Sequence, residues 1–515
     1  MNIFSLIMNR KKTTRDQDLS QFTIIKILKK FSPKEINEFD KLVNSPFFNN
    51  HSTVTKLFKE LKKHHPEYSG SILTREFLYN IVNKGEKYND VVFQKYMSRL
   101  KMLSDEYLNI LEMREDPLKK ELNILKKLSR IGAVEIFSGR FKNIEKSLEE
   151  VKEIDPKSFL FKHHLTDINI NSTDISKNII TNSSQITDSY DSLLAYFIFV
   201  SAFTLNQLEL NQYSMKDSGE FHSSGTFFNK SKILRLISEI ITNCNDSDKK
   251  RFLFFQLIKF DMKLKFHKPD MSAYRNLKNL VFKNAEVISK DLLEFYLRRM
   301  IAFCIIQSAK GMRNMSKEIF ENYKFFIEKE LFDAGGVSDL QLLDYRAIVS
   351  SSTNNNETEW LEDFINTKSH LIKNELRNNI YHYGFACILF HKKDYEGSLD
   401  HILKLVIDSP PLILDIYFLK SKIFYEIEMP DSARSIADSF RHYISNNSSF
   451  SDFFKLYLKT FLKHYKTLLK FKSKSVKSES DRSVKSNLKS FLNELEKSKN
   501  LRDKKWLIEK TRELL

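Results

Sequence analysis

Histidines in the C-terminal half are the residues whose type and spacing come closest to a metal site. His382, His391 and His401 lie within a short stretch of the chain, and imidazole nitrogens are common zinc ligands. A zinc site also needs a fourth donor and converging geometry, and the sequence contains no H-E-x-x-H motif. We therefore assign no metal ligand and expect these histidines to be solvated or to lie at the edge of a core.

The sequence also lacks the glycine motifs that hold phosphate groups. It contains no G-x-G, no G-x-x-x-x-G-K and no G-x-S-x-G nucleophile elbow. Backbone N–H groups converge on a phosphate only where glycines are closely spaced, so the common mononucleotide and dinucleotide sites are excluded. The segment NCNDSDKK at 243–250 has alternating oxygen donors but lacks the glycine and closing glutamate of a calcium loop. We assign no catalytic residue and no cofactor. An active site built from residues scattered along the chain is an alternative that the sequence leaves open.

Four lysines in the C-terminal half of the chain form the candidate partner-binding site. Lys392, Lys393, Lys420 and Lys422 lie in or next to two helical repeats described below and could favour an acidic peptide or a carboxylate. Acidic neighbours such as Asp394 weaken that interpretation, because they could neutralise the lysines. Ordinary surface charges are the alternative explanation.

The charge of the whole chain is strongly positive. The 515 residues include 83 basic and 66 acidic side chains, which gives a formal net charge of +17. Such a charge could attract nucleic acid, but basic and acidic residues alternate along nearly the whole chain, which favours a solvated surface. The best nucleic-acid candidate is the segment from Lys472 through Lys505, whose first part is a flexible basic linker predicted at 471–487. It has lysines for phosphate contacts, but no aromatic residue lies between Phe471 and Phe491 to stack on bases.

Cysteine usage and hydropathy favour a cytoplasmic location. Cys244, Cys304 and Cys387 are far apart, so a disulfide scaffold is not predicted. The longest apolar run, 193–205, is shorter than the about 20 residues of a membrane-spanning helix and predicts a buried helix. At the N-terminus the apolar stretch precedes the basic residues, the reverse of a secretory signal.

The elements that must position these residues are predicted to be helices. Only 11 glycines and 9 prolines occur in the chain, and no Asn-Gly or Asp-Gly pair is present. A large β protein needs many such turns, whereas apolar residues here recur at helical spacing. The fold class is therefore all-α, with an N-terminal helical domain followed by a helical-hairpin array of the solenoid type.

The N-terminal domain is predicted at 17–115, after a frayed segment at 1–16. Ser32, Pro33 and Glu35 form the signature of a capped helix start, and the next helix boundary falls at Asp116-Pro117. Phe47 and Phe48 follow Pro46, and we expect both to anchor their loop in the core.

The helical-hairpin array is predicted at 116–470. Its best repeats are 379–412 and 414–447, with 297–330 fitting more loosely. Small residues such as Ala386 and Ala433 fall where two antiparallel helices would approach, so the repeats resemble tetratricopeptide repeats. Trp360 is expected to be a structural anchor of the array. A single C-terminal helix is predicted at 488–515, anchored by Trp506.

Several segments resemble an uncharacterised family of large helical proteins from Bacteroidetes-type bacteria. The resemblance lies in SPKEINEFDKLVNSPFFN, in YND followed by YMSRLKMLSDEYL, in the W-x-x-x-F-I element at 360–365 and in WLIEK at 506–510. It implies the same architecture in a bacterial cytoplasm and transfers no catalytic residue. The sequence thus favours a non-enzymatic interaction or scaffold protein that binds a protein or peptide. A nucleic-acid-associated or regulatory protein is the alternative.

Overall fold

The structure is a computed structural model whose described residues are all-helical. It describes residues 19–515 apart from 70–72, 151–152, 173–182, 215–229, 244–248, 265–268, 332–340, 373, 407–409, 449, 451, 476–481 and 499–500. Within these residues no strand occurs, and the one isolated β-bridge joins Ile154 to Ile288. The all-α prediction is confirmed. The segment predicted to fray, 1–16, lies outside the described residues.

The chain divides into two compact units. The first comprises residues 1–146 and 164–183, and the second comprises 147–163 and 184–515. The first unit therefore continues beyond residue 115, the predicted end of the N-terminal domain.

Five described helices lie between residues 23 and 115. They are α1 (Thr23–Leu28), α2 (Pro33–Val43), α3 (Ser52–Lys62), α4 (Arg75–Val82) and α5 (Asp90–Glu115). Their buried side chains form one core, in which Phe39 and Phe58 meet edge to face at 4.9 Å. Helix α6 (Pro117–Arg130) follows, and α7 (Val134–Glu150) and α8 (Pro156–Ser172) each contribute residues to both units.

The second unit continues with fifteen described helices. They are α9 (Ser183–Ser214), α10 (Lys230–Asn243), α11 (Lys249–Lys263), α12 (Met271–Lys283), α13 (Lys290–Ala309), α14 (Met315–Glu328), α15 (Leu342–Asn354), α16 (Thr358–Lys368), α17 (Asn374–His391), α18 (Tyr395–Leu403), α19 (Pro410–Glu426), α20 (Pro430–Asn446), α21 (Asp452–Ser475), α22 (Arg482–Lys497) and α23 (Lys504–Glu513). Short 3-10 turns at Ala285–Val287 and Ser369–Leu371 join some of them.

Local sequence explains where α2 begins. The Ser32 hydroxyl accepts a hydrogen bond from the Glu35 backbone N–H at 3.2 Å, and the Glu35 carboxylate accepts one from the Ser32 N–H at 2.7 Å. This reciprocal capping box satisfies two backbone donors that a helix start otherwise leaves without partners. The predicted boundary at Asp116-Pro117 is also confirmed, because α5 ends at Glu115 and α6 begins at Pro117.

The prediction that Phe47 and Phe48 anchor their loop in the core is wrong. Phe47 is 89% exposed and Phe48 is 38% exposed, and their rings pack on each other at 5.0 Å. A polar side chain closes the loop instead, since the Asn49 amide donates to the Val43 carbonyl at 2.8 Å. This bond ties the loop to the end of α2, so neither phenylalanine has to enter the core.

Small residues are buried in the two segments that fit the predicted repeat pattern best. Ala386 on α17 and Ser398 on α18 are fully buried, and the Ser398 hydroxyl donates to the Ala386 carbonyl at 2.7 Å. In the next pair Ser421 on α19 and Ala433 on α20 are also fully buried. Small side chains at these positions let neighbouring helices approach closely.

The C-terminal segment differs from the predicted linker and single helix. Helix α21 runs to Ser475 and α22 begins at Arg482, so both ends of the linker predicted at 471–487 are helical. Residues 476–481 lie outside the described residues. The chain then forms two helices rather than one. Asp503 adopts a left-handed φ of 52° before α23, and this conformation interrupts a helix.

The apolar run near residue 200 lies in α9. Within the described residues, one helical segment, Gln185–Leu208, is long and apolar enough to cross a membrane by length and composition alone. Core helices of soluble proteins meet the same criterion. Ala195, Ile198 and Ala202 on α9 are buried, whereas Phe197 and Phe203 are exposed. The run predicted to form a buried helix is thus only partly buried.

Candidate functional site

A cluster of ionic side chains in the second unit is the candidate functional site. Arg346 lies on α15, Asp415 on α19, and Arg502 in the segment before α23. The carboxylate of Asp415 is 6% exposed and accepts hydrogen bonds from both guanidinium groups. We call these residues, together with Lys422 and Asp503, the arginine network.

Asp415 is the centre of the arginine network. Arg346 donates to it through Nε at 2.5 Å and Nη2 at 2.9 Å, and Arg502 donates through Nη2 at 2.8 Å. The Tyr383 hydroxyl adds a third donor group at 3.0 Å. Three side chains from different elements thus donate to one buried carboxylate.

A second carboxylate extends the arginine network. The Asp503 carboxylate lies 2.9 Å from the Lys422 ammonium and 3.9 Å from Nε of Arg502. The network therefore contains three cationic groups and two carboxylates, so one positive charge is left in excess.

The ionisation states in the arginine network are set by burial and by charge pairing. Burial is the largest single influence on Arg346 and Arg502 and lowers the pKa of each, but their acidic partners together outweigh it. Asp415 raises the pKa of Arg346, and Asp415 with Asp503 raises that of Arg502, so both values lie above the ordinary one. Burial raises the pKa of Asp503, but Lys422 and Arg502 outweigh it and hold the value below the ordinary one. Arg346, Arg502 and Asp503 are therefore charged at neutral pH.

An apolar cavity of about 220 Å³ opens beside the two arginines. Its lining consists of Arg346, Leu414, Phe418, Phe450, Phe454, Tyr457, Leu458 and Arg502. None of these side chains is acidic, and the Arg502 guanidinium lies 4.5 Å from the centre of the Phe418 ring. The cavity thus combines apolar walls with a cationic end.

Comparison with known proteins assigns this chain to no family. No family model, curated protein or solved structure matches the chain.

The lysines singled out in the sequence do not form one cluster. Lys422 belongs to the arginine network and also lies 5.0 Å from the centre of the Phe390 ring. Lys392 pairs with Glu362 at 3.0 Å on the surface, and Lys393 is exposed in the turn before α18. Lys420 is half-buried, and burial lowers its pKa. Only Lys422 is thus brought to the candidate site.

The two tryptophans lie in separate aromatic groups. Trp360 stacks on Phe364 at 5.5 Å and meets Phe320 edge to face at 5.0 Å. Trp506 is partly buried, and its indole N–H donates to the Glu426 carboxylate at 2.7 Å. Both side chains pack against buried cores.

Two of the three clustered histidines are in contact. Nδ1 of His382 lies 3.1 Å from Nδ1 of His401, whereas His391 is exposed at the end of α17. Among the described residues, no group of three or more histidine, cysteine, aspartate or glutamate side chains could hold a metal ion.

Two of the cysteines are poorly suited to act as nucleophiles. Burial raises the pKa of the Cys304 thiol to about 12 and that of the Cys387 thiol to about 12, so both are protonated at neutral pH. Cys244 lies outside the described residues.

Sequence reasoning missed Arg346, Asp415, Arg502 and Asp503. One available signal is the position of Asp415, which stands alone within the apolar stretch LILDIYFL of α19. A carboxylate at the buried face of a helix needs a charged or hydrogen-bonded partner. That signal predicts a buried ion pair without identifying the arginines.

Proposed function

We propose that the protein is a non-enzymatic binding protein that holds a segment of another protein on its C-terminal helical-hairpin surface. The observation that carries this proposal is the apolar cavity beside Arg346 and Arg502. Apolar pockets with a few polar groups at one end are typical of binding sites, and the polar groups fix the orientation of the bound group.

The helix pairs α17–α18 and α19–α20 support a tetratricopeptide-like array as the scaffold of that site. In the first pair the bond between Ser398 and Ala386 places small side chains where the two helices meet, and in the second pair Ser421 and Ala433 are buried. Arrays of such hairpins form extended surfaces that bind peptides or helices of a partner. Helix α19 also supplies Leu414 and Phe418 to the cavity, so the proposed array and the cavity share one element.

The chemistry of the site favours binding over catalysis. The charged groups of the arginine network are paired with one another, and the neighbouring Tyr383 and Cys387 have raised pKa values because both are buried. A general acid or base works best with a pKa near the working pH. These residues are therefore better suited to position a bound group than to transfer a proton.

A capture experiment with the full chain tests the proposed function. The immobilised protein is incubated with cytosolic extract of its native host, with and without nuclease. We expect one protein partner that nuclease does not release, that Phe454→Ala loses and that Leu456→Ala retains. Phe454 lines the cavity, whereas Leu456 is on the same helix and 64% exposed. Equal capture by both variants would contradict a role for the cavity.

A second candidate function is nucleic-acid association, which the lysine row of α21 favours. Residues 452–497 contain twelve basic and five acidic side chains. Lys455, Lys459 and Lys470 recur at helical spacing on α21, and the intervening Lys463 and Lys466 pair with Glu494 and Asp438 at 3.0 Å and 2.8 Å. Lysines in such a row could contact successive phosphates.

The salt dependence of capture distinguishes the two functions. Nucleic-acid binding through phosphates gives a log affinity that falls linearly with log salt, by about 0.9 for each phosphate neutralised. Recovery of nucleic acid alone, with such a slope, would favour the second candidate. Capture of a protein partner that survives nuclease and salt would favour the first.

A further inference from the structure

At the cationic end of the cavity, both guanidinium groups have N–H donors that Asp415 does not use. Among the described residues, Arg346 uses Nε and Nη2 on Asp415, and Arg502 uses Nη2 on the same carboxylate. A guanidinium carries five N–H donors, so each arginine keeps several for another acceptor. Asp415 itself does not line the cavity. A group that enters therefore meets two cations and no carboxylate.

The charge balance of the arginine network suits a single negative charge. Three cations face two carboxylates, which leaves one unit of positive charge without a counter-ion in the network. Planar guanidinium groups match the geometry of a carboxylate through paired N–H bonds. A bound monoanion would make the charge of the network neutral.

The volume and walls of the cavity suit a small apolar body. A cavity of about 150 Å³ lined by apolar side chains accepts a benzene molecule, and this cavity measures about 220 Å³. The space therefore fits one ring or branched chain with a short polar head. Phe418 is held between Phe440 and Phe461 by edge-to-face contacts at 5.1 Å and 4.7 Å, so this wall is ordered before a ligand arrives.

We propose that this cavity binds an apolar carboxylate, with the carboxylate between Arg346 and Arg502 and the apolar group against Phe418, Phe454 and Tyr457. The inference rests on the proposed binding function and names the chemistry that the site recognises. The same chemistry has two sources, the C-terminal residue of a protein that ends in an apolar side chain and a free aromatic acid. A phosphate group fits the apolar walls less well, because it carries no hydrophobic body to fill them.

Binding of matched probes to the full chain tests the inference. The probes are 3-phenylpropionate, 3-phenylpropionamide and a short acetylated peptide that ends in phenylalanine, with a free or an amidated C-terminus. We expect each acid to bind at least tenfold more tightly than its amide in calorimetric titration. A peptide that binds much more tightly than phenylpropionate would identify a protein C-terminus as the source, and equal affinities would identify a free acid.

Substitutions in the cavity test separately the contact with the carboxylate and the contact with the apolar group. Arg502→Gln should remove most of the preference for acid over amide, because one of the two guanidiniums is lost. Phe454→Ala should weaken acid and amide alike, and Leu456→Ala should weaken neither. If Arg502→Gln does not fold, the comparison of acid with amide on the unmodified chain still decides the inference.

Three results would overturn the inference: equal binding of acid and amide, no saturable binding of any probe, or tighter binding of inorganic phosphate than of the acids. The outcome is separable from that of the proposed function. If a partner is captured in a Phe454-dependent manner while no acid binds, the binding function stands and the carboxylate chemistry fails. If neither occurs, both fail.

Discussion

Arg346 binds Asp415 through two parallel hydrogen bonds, from Nε to Oδ2 at 2.5 Å and from Nη2 to Oδ1 at 2.9 Å. This bidentate pair joins α15 to α19, and Arg502 brings the segment before α23 to the same carboxylate. Because Asp415 is buried, its charge is compensated by these partners rather than by water. Asp415 therefore links three parts of the chain that are distant in sequence.

Asp415→Asn should destabilise the second unit strongly. The variant removes the charge that compensates two arginines, and breaking a buried pair in this way costs about 3–5 kcal/mol. The free energy of unfolding can be measured by urea denaturation with tryptophan fluorescence. Trp360 and Trp506 are the only two tryptophans of the chain and both belong to the second unit, so the signal reports on that unit.

Asp431→Asn is the matched control for the loss of one carboxylate. The Asp431 side chain is 96% exposed and pairs with Arg434 at 3.3 Å. An exposed ion pair contributes about 0–1 kcal/mol, so this variant should unfold at nearly the same urea concentration as the unmodified chain. Similar midpoints for the two variants would show that Asp415 does not hold the arginines in place.

Asp503 should make the arginine network sensitive to acid. Burial raises its pKa, but Lys422 and Arg502 lower it by more, so the folded value lies below the ordinary carboxyl value of 3.8. A carboxyl whose pKa is depressed by folding stabilises the fold above the unfolded value and loses that contribution as the pH falls through the folded value. The stabilisation is thus complete near neutral pH and disappears on acidification.

The difference between the unmodified chain and Asp503→Asn measures this effect. The unmodified chain should have the higher urea midpoint at about pH 6, and the difference should shrink as the pH falls below about 4. Subtraction of the two curves removes the contribution of all other carboxyl groups. A difference that stays constant or grows in acid would mean that Asp503 is not held in its charged form by Lys422 and Arg502.

Features that depend on adjacent residues are predictable from the sequence, and features that depend on distant contacts are not. The Ser32–Glu35 capping box involves residues three apart, so its pattern is visible in the chain. The position of Phe47 depends instead on how Asn49 closes the loop, which apolar character alone does not reveal.

The candidate site depends even more on contacts between distant residues, which the sequence does not reveal. Helical periodicity assigns Arg346 and Asp415 to helices, but it does not say that these helices meet. Nothing near Arg502 in the sequence distinguishes it from an ordinary surface arginine. Lys422 was accessible to sequence reasoning because the small-residue pattern places it within a repeat, although its partner, Asp503, was not.

Gly384→Ala should destabilise the region where α15, α16 and α17 pack. A Cβ at this position would lie 2.5 Å from the Tyr345 hydroxyl oxygen and 2.5 Å from Cδ1 of Ile365. The Tyr345 hydroxyl donates to the Ile380 carbonyl at 2.8 Å and is buried, so it has little room to move. Overpacking of a core typically costs about 1–3 kcal/mol, which exceeds the gain of about 1 kcal/mol from higher helix propensity.

Hydrogen exchange, followed in peptides that cover each helix, can measure this effect. A substitution at a second glycine serves as the control. Gly139 on α7 has open space around the position of a Cβ, so Gly139→Ala should leave local protection unchanged or raise it. We expect faster exchange around α17 in Gly384→Ala alone. Unchanged protection in that variant would mean that Tyr345 and Ile365 can move apart at little cost.

Trp506→Ala should loosen the packing of α23. The Trp506 ring meets Tyr425 edge to face at 5.2 Å, and its N–H donates to Glu426 on α19. Truncation of a buried tryptophan costs about 3–5 kcal/mol, and because this ring is partly exposed we expect a loss of about 3 kcal/mol. Trp360 remains as the fluorescent reporter, so urea denaturation of the variant can be followed in the same unit.

Trp506→Phe separates the two contributions of this side chain. The phenylalanine keeps a ring against Tyr425 but cannot donate to Glu426, whose carboxylate also lies 3.1 Å from the Lys510 ammonium. Because Lys510 continues to compensate the charge, the loss should be only about 1 kcal/mol, the usual net value of one hydrogen bond. If Phe and Ala variants unfold at the same urea concentration, the bond to Glu426 rather than ring packing anchors α23. If neither variant differs from the unmodified chain, Trp506 contributes no anchor to this helix.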